Sequence, residues 1–328
     1  MVKQLTLRSA KPLFAGAIPA VAFFMKKFIV IDGNAILHRA WHALPPLTSK
    51  KDGQPVNAAY GFTLILMKAI KDLKPVYGAV TFDRKEKTFR HEEYKEYKAQ
   101  RPKQPDELYS QIPIIKDIVK SFNIPIYELS RYEADDVIAT ICADKKVNIP
   151  EIETVVITGD MDVLQLVDGN TKVCALQRGI TDTVLYDEEK VKERYGFAPK
   201  QLIDYKALRG DPSDNIPGAR GIGEVGAIEL IKEFYSIEKL YSAIESNDPK
   251  IEKIKKRTLE ILKNEKDNVL LGKRLVTLVL DAPFEFSLED CKIKIDVAPI
   301  IKIFEELGFN SLVPKVNSLV AGSQGNLF

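Results

Sequence analysis

Phe28-Ile-Val-Ile-Asp-Gly-Asn34 is a short apolar run that closes on an acid and two turn-forming residues. Such a run predicts a strand buried on both faces, with Asp32 at its carboxyl end. The same pattern recurs in Val76–Asp83 and in Val155–Asp162, and segments such as Ala58–Lys74 between these runs have the apolar spacing of a helix. Strands that alternate with helices predict a mostly parallel α/β sheet, in which ligands gather outside the carboxyl ends of the strands.

Acidic residues follow all three predicted strands. They are Asp32, Asp83, Asp160 and Asp162, and Tyr132-Glu-Ala-Asp-Asp136 adds three more at the head of a predicted helix. A single acid of this kind is most simply a turn, capping or helix-dipole residue. So many at one sheet edge, with no basic residue in the same motifs to neutralise them, favour a site for hard divalent cations such as Mg²⁺. Two such cations about 4 Å apart suit phosphodiester hydrolysis, one activating water and the other stabilising the leaving oxygen.

Residues 84–103 combine eight Lys or Arg side chains with Phe89, Tyr94 and Tyr97. Four glutamates are mixed among them, so a solvated helix face is one interpretation. The other is a nucleic-acid contact, because cations hold phosphates and flat rings stack on unpaired bases. A basic, aromatic segment next to Asp83 would draw a phosphate backbone towards the acidic edge.

The pattern becomes helical after Asp187, which predicts a subdomain boundary near residue 186. Within the loop Gly210–Gly223, Asp211 and Asp214 are spaced so that a turn could direct both at one cation. The end of that loop, Gly221-Ile-Gly223, precedes a predicted helix. A Gly-x-Gly turn there would let backbone N–H groups approach a phosphate, although helix–helix turns also use glycine for structural reasons.

The composition of the 328 residues, 45% hydrophobic and 29% charged with a net charge of +2, is typical of a globular protein. Three widely spaced cysteines argue against a disulfide framework, and the histidines lack zinc spacing, so oxygen ligands are expected for any metal. Pro12–Phe24 is apolar and follows three bases, the order of a signal peptide, which leaves export as an alternative. Because Met25-Lys-Lys leads directly into the first strand, we expect residues 1–24 to be an amino-terminal extension of a cytoplasmic protein.

Six motifs, in their order and spacing, resemble those of one known family: Ile31–Asn34, Thr81–Asp83, Phe89–Tyr94 with Tyr97-Lys98, Glu133–Asp136, Thr158–Asp162 and Gly210–Gly223. They are similar to the 5′-nuclease domain at the amino end of bacterial DNA polymerase I, within the flap-endonuclease family. The resemblance implies a PIN-like α/β core over residues 25–186, with a mostly parallel sheet and a helical arch at about 84–105. It also implies a helical DNA-binding subdomain over 187–316, with a helix–three-turn–helix at about 204–235, and a tail is expected at 317–328.

The resemblance further implies the site residues. Carboxylates for two or more Mg²⁺ or Mn²⁺ ions would be Asp32, Asp83, Glu133, Asp135, Asp136, Asp160, Asp162, Asp211 and Asp214. Residues expected to act in catalysis are Asp32, Asp83, Arg84, Arg90, Glu133, Asp135 and Asp160. DNA contacts are expected from Arg39, Lys87, Arg90, Tyr94, Lys98, Gly221, Ile222 and Gly223, with K⁺ near the glycines.

The function implied by the resemblance is removal of 5′ flaps or RNA primers from branched and nicked duplexes in DNA replication and repair. A monomer is expected, without a membrane, working with a separate polymerase and ligase. One departure is Val225-Gly226, where such domains usually carry Lys-Thr after Gly223-Glu224. Two alternatives are a PIN-like ribonuclease, which would not need the helical half, and a branched-DNA-binding protein without catalysis, which should lack metal ligands.

Overall fold

A single six-stranded sheet forms the centre of the fold. The computed structural model describes residues 25–177, 179–180 and 182–321, with the backbone alone for Val320 and Ala321. The strands are β1 Lys26–Asp32, β2 Tyr77–Thr81, β3 Ile126–Tyr127, β4 Ile152–Thr158, β5 Thr171–Leu176 and β6 Thr183–Tyr186. Their spatial order is β3-β2-β1-β4-β5-β6, and only β5 and β6 pair antiparallel. The predicted mostly parallel sheet is confirmed.

The register of the central strands brings their carboxyl ends to one level. Asp32 is paired with Thr81 of β2, and Ile31 is paired with Ile157 of β4. The chain runs outward from β1 through β2 to β3 and then returns to the other side of β1 for β4, so the strand order reverses beside β1. Parallel α/β sheets bind their ligands at such a switch point.

Helices cover both faces of the sheet. Those of the first half are α1 Gly33–Ala43, α2 Asn57–Leu73, α3 Phe89–Glu93, α4 Asp106–Tyr109, α5 Ile112–Ser121 and α6 Ala134–Ala143. Side chains alternate across a strand, so Ile29 and Ile31 pack with α1, α2 and α5, whereas Phe28 and Val30 pack with α6 and the helical half. A side chain at Gly33 would lie 2.5 Å from the Thr81 carbonyl oxygen, so only glycine lets α1 begin directly against β2.

The second half is helical. Its helices are α7 Glu188–Tyr195, α8 Leu202–Arg209, α9 Glu224–Phe234, α10 Ile237–Ser246, α11 Lys256–Asn264, α12 Lys266–Val276, α13 Val297–Leu307 and α14 Val313–Ala321. Short 3₁₀ helices cover Asp162–Leu166, Pro199–Gln201, Pro249–Lys253 and Glu289–Cys291. None of the helices within the described ranges is long and apolar enough to cross a bilayer.

Two segments differ from their predictions. Residues 317–321, expected in a tail, continue α14, because Val316 and Leu319 are buried against the first half. Residues 84–105, expected as a helical arch, contain only the five-residue helix α3 followed by turns. This segment contacts the loop after α8, since the Lys98 backbone N–H donates to the Asp214 carbonyl oxygen over 2.9 Å. The extension 1–24 and residues 322–328 lie outside the described part of the chain.

Candidate active site at the carboxyl edge of the sheet

Asp32, at the carboxyl end of β1, is a buried acid of this edge. It is 3% exposed; its Oδ1 accepts the Ala35 N–H over 2.9 Å, which begins α1, and its Oδ2 accepts the Thr158 hydroxyl over 2.7 Å. Burial raises the pKa of Asp32 to about 7 despite these two hydrogen bonds, and the charges of Asp83 and Asp160 add to the rise.

Asp83 and Asp135 are placed by the start of α6. The Asp83 Oδ1 accepts the Ala134 N–H over 2.7 Å, so the acid after β2 caps the helix that carries Asp135. Burial raises the pKa of Asp135 well above its usual range, and the charges of Asp160, Asp32 and Asp83 raise it further. Mutual repulsion of this kind arises only where carboxylates crowd together.

Thr158 and Asp160 complete this group. The Thr158 hydroxyl donates to Asp32 and accepts the Asp160 N–H over 2.9 Å, so one residue fixes the acids after β1 and β4. Among the residues that the structure describes, no ion pair reaches Asp32, Asp83, Asp135 or Asp160. We call these four acids the open set.

A second group of acids is neutralised by the protein itself. Lys206 of α8 donates to Asp162 and, over 2.9 Å, to Asp211. Burial by itself would raise the pKa of Asp211, but Lys206 and the Ser213 hydroxyl lower it to about 2. Asp162 receives less relief, because burial and Asp160 raise its pKa to about 7 against the effect of Lys206.

Glu133 and Asp214 share Lys98, and each has one further cation, Arg90 for Glu133 and Arg101 for Asp214. Lys98 donates to Glu133 over 2.7 Å and lies 3.8 Å from Asp214, and the Arg101 Nε donates to Asp214 over 3.1 Å. The Tyr97 hydroxyl also donates to Glu133 over 3.0 Å. Burial opposes ionisation of Glu133, yet Lys98 and Arg90 lower its pKa overall. We call Glu133, Asp162, Asp211 and Asp214 the paired set.

Arg90 and Asp136 form a buried ion pair that the sequence did not predict. Arg90 is 1% exposed and Asp136 is 0% exposed, and the guanidinium donates to both carboxylate oxygens over 2.6 and 2.7 Å. Arg90 also donates to the carbonyl oxygens of Leu275 and Thr277. Both Asp136 oxygens are therefore occupied, whereas the buried Arg90 also lies 3.6 Å from Glu133 and lines a small pocket with Asp135 and Asp160.

We expected no base to neutralise these acids, and the contacts above correct that expectation. The acidic motifs themselves hold no base, but the fold brings Lys98, Arg101 and Lys206 to them from other segments. In keeping with this, no three Asp, Glu, His or Cys side chains of the described ranges stand ready to enclose a cation. The donor chemistry still fits one, since burial and mutual repulsion raise the pKa values of Asp32, Asp83 and Asp135 in the open set, and Mg²⁺ prefers carboxylate oxygens.

The residues predicted to contact DNA lie around this edge. Arg84 pairs with Glu86 over 3.0 Å and, like Lys87, is exposed, whereas the Tyr94 hydroxyl donates to Glu96. Arg39 of α1 donates to the carbonyl oxygens of Leu176 and Gln177, so its guanidinium is partly occupied. The bases of this region therefore differ greatly in how freely they can meet a phosphate.

The predicted phosphate loop precedes α9. Gly221 has φ +101°, which a residue with a side chain rarely adopts, and a Cβ at Gly223 would meet open space. Ile222 between them is 6% exposed and anchors the loop in the core of the helical half. Val225, at the start of α9, is 71% exposed. The loop thus has a fixed base and an accessible backbone.

A cavity of about 870 Å³ lies between α1 and the helical half and opens at the acids. Asp160, Asp162 and Asp211 line one side of it, and Arg194, Arg209 and Lys206 are among the bases that line the rest. This volume is large enough for a nucleotide, and its charge pattern suits an anionic chain drawn to an acidic centre.

Fold and site together define a parallel α/β sheet whose edge of carboxylates is faced by a helix–loop–helix, the arrangement of a phosphodiester-cleaving nuclease domain. The family described as "5′-3′ exonuclease, N-terminal resolvase-like domain" matches residues 27–196, and the family described as "5′-3′ exonuclease, C-terminal SAM fold" matches residues 197–297. The chain belongs to the 5′-3′ exonuclease family, which confirms the predicted membership.

Two relatives illustrate this membership. A 5′-3′ exonuclease of Aquifex aeolicus (strain VF5) is 38% identical over 306 residues, covering 93% of this chain and 100% of the relative. The DNA polymerase I of Bacillus subtilis (strain 168) is 43% identical over 292 residues, covering 89% of this chain but 32% of the polymerase. The chain thus spans about a third of the length of the first polymerase relatives that it matches.

Solved structures share the fold. The bacteriophage T5 D15 flap endonuclease, in a complex with DNA and metal ions, has a TM-score of 0.63 at 18% identity and covers 90% of this chain and 98% of its own. The catalytic core of Rad2 in complex with a DNA substrate has a TM-score of 0.57 at 19% identity, with 90% and 92% covered. These likenesses support the architecture of a sheet domain joined to a helical domain.

Sequence reasoning missed three residues of the site. Lys206 lies in a helix with ordinary charge spacing, and Arg101 is one of eight bases in its segment, so neither carried a distinguishing signal. Thr158 lies within a motif that the resemblance used, but its link between Asp32 and Asp160 depends on strand register. Only the relative placement of strands and helices identifies these three.

Proposed function

We propose that this chain is a divalent-metal-dependent 5′-3′ exonuclease and flap endonuclease that hydrolyses phosphodiesters of DNA. The observation that carries the proposal is the open set, four carboxylates at the switch point of a parallel sheet that no Lys or Arg of the described residues neutralises. Membership of the 5′-3′ exonuclease family supports it, as does the printed description of the T5 neighbour as a flap endonuclease.

The acids divide into two groups of ligands. Asp32, Asp83, Asp135 and Asp160 would hold one cation, and Asp162, Asp211, Asp214 and Glu133 would contribute to the next, whereas Asp136 is left out. Crystals of T5 5′-exonuclease with divalent metal ions support a metal of this class. Bound Mg²⁺ or Mn²⁺ supplies activation of water and stabilisation of the leaving oxygen.

The basic side chains of the edge would bind and orient the DNA. Lys98 and Arg101 lie beside the acids. When the paired set binds a cation, these two side chains would be free to pair with a phosphate. Arg84 and Lys87 are exposed at the entrance, where they would attract the backbone before it reaches the acids. Thr158 would keep Asp32 and Asp160 in fixed orientation throughout.

The duplex part of the substrate would lie on the helix–loop–helix formed by α8 and α9. The accessible backbone of Gly221 and Gly223 would present N–H groups to phosphates, with K⁺ as an additional ligand of the loop. Exposed Val225 offers neither the charge nor the hydroxyl that related domains place near this helix start. We therefore infer that duplex affinity depends mainly on the loop backbone and on neighbouring lysines.

We further propose 5′ flaps, nicked duplexes and RNA primers as substrates in replication and repair, for a cytoplasmic monomer. Similarity to DNA polymerase I over the whole described core supports work beside a polymerase, with a ligase sealing the product.

The test uses a 5′-flap duplex labelled at its 5′ end, with matched single-stranded and nicked-duplex controls, in Mg²⁺ or in EDTA. We expect metal-dependent release of the flap by a cut near the junction and little cleavage of the single strand. Wild-type cleavage in EDTA, or equal cleavage of single-stranded RNA, would contradict the proposal.

A further inference from the structure

Lys206 occupies an unusual position between two of the proposed metal ligands. Its ammonium group donates to Asp162, which follows β4, and over 2.9 Å to Asp211, which follows α8. The side chains are 15%, 23% and 11% exposed, so solvent screens the contact only weakly. One cation of the protein therefore bridges the two acids that join the sheet edge to the helical half.

We propose that the Lys206 ammonium is an internal counter-ion that holds the place of a divalent cation between Asp162 and Asp211. A divalent cation binds these two acids only after it displaces the ammonium group. This inference rests on the proposed function, because it concerns how that site takes up its metal.

Charge balance explains why the two cannot coexist. Mg²⁺ or Mn²⁺ and an ammonium group use the same carboxylate oxygens, and two cations at hydrogen-bonding distance repel each other strongly in a poorly solvated site. Within the described ranges of the chain, no Lys or Arg forms an ion pair with the open set. A first cation therefore binds the open set at low concentration, and a second binds the paired set at a higher concentration.

The released ammonium group has an alternative partner. Lys206 lines the 870 Å³ cavity that opens at the acids, so a phosphate lying there can pair with the ammonium group once the carboxylates have released it. Uptake of the second cation is thereby coupled to the arrival of the anionic substrate. In the absence of DNA, Lys206 offsets part of the charge of Asp162 and Asp211 and keeps the two halves joined.

The competing explanation is that Lys206 only ties the two halves together. That role predicts lower stability when Lys206 is replaced, and no change in metal affinity. Lys273 provides a matched control, because it bridges Asp204 and Glu238 over 2.7 and 2.6 Å elsewhere in the helical half and does not line the cavity. Replacing either lysine changes the net charge equally.

The experiment titrates the full, DNA-free chain with Mn²⁺ and measures free Mn²⁺ by electron paramagnetic resonance. Wild type should show a stronger and a weaker class of site. K206Q should tighten the weaker class by at least about tenfold, since an ion pair of this burial is removed as a competitor. K206R and K273Q should retain wild-type affinities for both classes.

Thermal melts of each variant establish that the fold is retained, and K206M serves as a second variant of similar length if K206Q unfolds. Unchanged weak-class affinity in folded K206Q and K206M, or the same tightening in K273Q, would overturn the inference. Binding of no Mn²⁺ by wild type would overturn the proposed function as well. Because the readout is metal binding and not cleavage, the two failures are distinguishable.

Discussion

Replacement of Arg90 by methionine distinguishes a buried structural arginine from a DNA-contacting one. The guanidinium is 1% exposed, holds both oxygens of fully buried Asp136, and donates to two carbonyl oxygens over 2.8 and 3.1 Å. Removing one partner of a buried ion pair typically costs roughly 3–5 kcal/mol, because the remaining charge has no replacement. We expect R90M to lower the free energy of unfolding by about this amount, since Asp136 keeps only its bonds from Glu133 and Val279.

The assay is urea denaturation followed by far-UV circular dichroism, in EDTA so that metal does not contribute. D136N removes the charge of the partner, and the double variant R90M/D136N should be less destabilised than the sum of the single ones. R84M is the control, because its surface pair with Glu86 should contribute at most about 1 kcal/mol. R90M within about 1 kcal/mol of wild type, together with a shallower salt dependence of DNA binding, would refute the buried role.

Three further outcomes are expected. Asp160→Asn should abolish flap cleavage while fluorescence anisotropy still detects flap binding, because it removes metal-binding charge and no phosphate contact; retained turnover would contradict the ligand assignment. Lys87→Ala should reduce the slope of log affinity against log salt by about 0.9, and an unchanged slope would mean that Lys87 does not meet phosphate. In EDTA, the free energy of unfolding should fall as the pH rises from about 4 to 7, because folded Asp32 has a pKa of about 7 and keeps a proton that the unfolded chain has lost. At about 1.4 kcal/mol per pKa unit, Asp32 accounts for at most about 4 kcal/mol of this loss of stability. Saturating Mg²⁺ should abolish the pH dependence measured in urea melts. Equal stability at both pH values would contradict a raised pKa of Asp32.

Local pattern was sufficient for the elements that place the open set. The apolar run before Asp32 forms β1, the run before Asp83 forms β2, and the helix predicted over Ala58–Lys74 is α2, Asn57–Leu73. These succeed because a buried strand or an amphipathic helix must carry its hydrophobic residues at a fixed period. The acids at the strand ends then follow from parallel pairing alone.

Contacts between residues far apart in the chain could not be predicted from local sequence pattern. Arg90 and Asp136 are 46 residues apart, and Lys206 and Asp162 are 44 apart. A base in a charge-rich segment has the same local pattern whether it faces solvent, DNA or a buried acid. For this reason Arg90, predicted to contact DNA, forms a buried pair with Asp136 that was not predicted, and Lys206, without a predicted role, bridges two proposed metal ligands.

The start of α6 explains why the nuclease edge and the helical half form one site. Successive residues of a helix point about 100° apart, so Asp135 can face the open set while Asp136 faces Arg90 and the chain after α12. From Leu275 to Ala282 the chain leaves α12 and then has no regular structure. Buried polar groups satisfy its backbone: Arg90 holds the carbonyl oxygens of Leu275 and Thr277, Asp136 accepts the Val279 N–H, and Gln165 bonds to Val276 and Leu278. The helical half is thus attached one residue away from Asp135, a proposed metal ligand. Any change that loosens this attachment should also displace Asp135. Replacing Arg90 should therefore impair catalysis by moving Asp135, and not by removing a DNA contact.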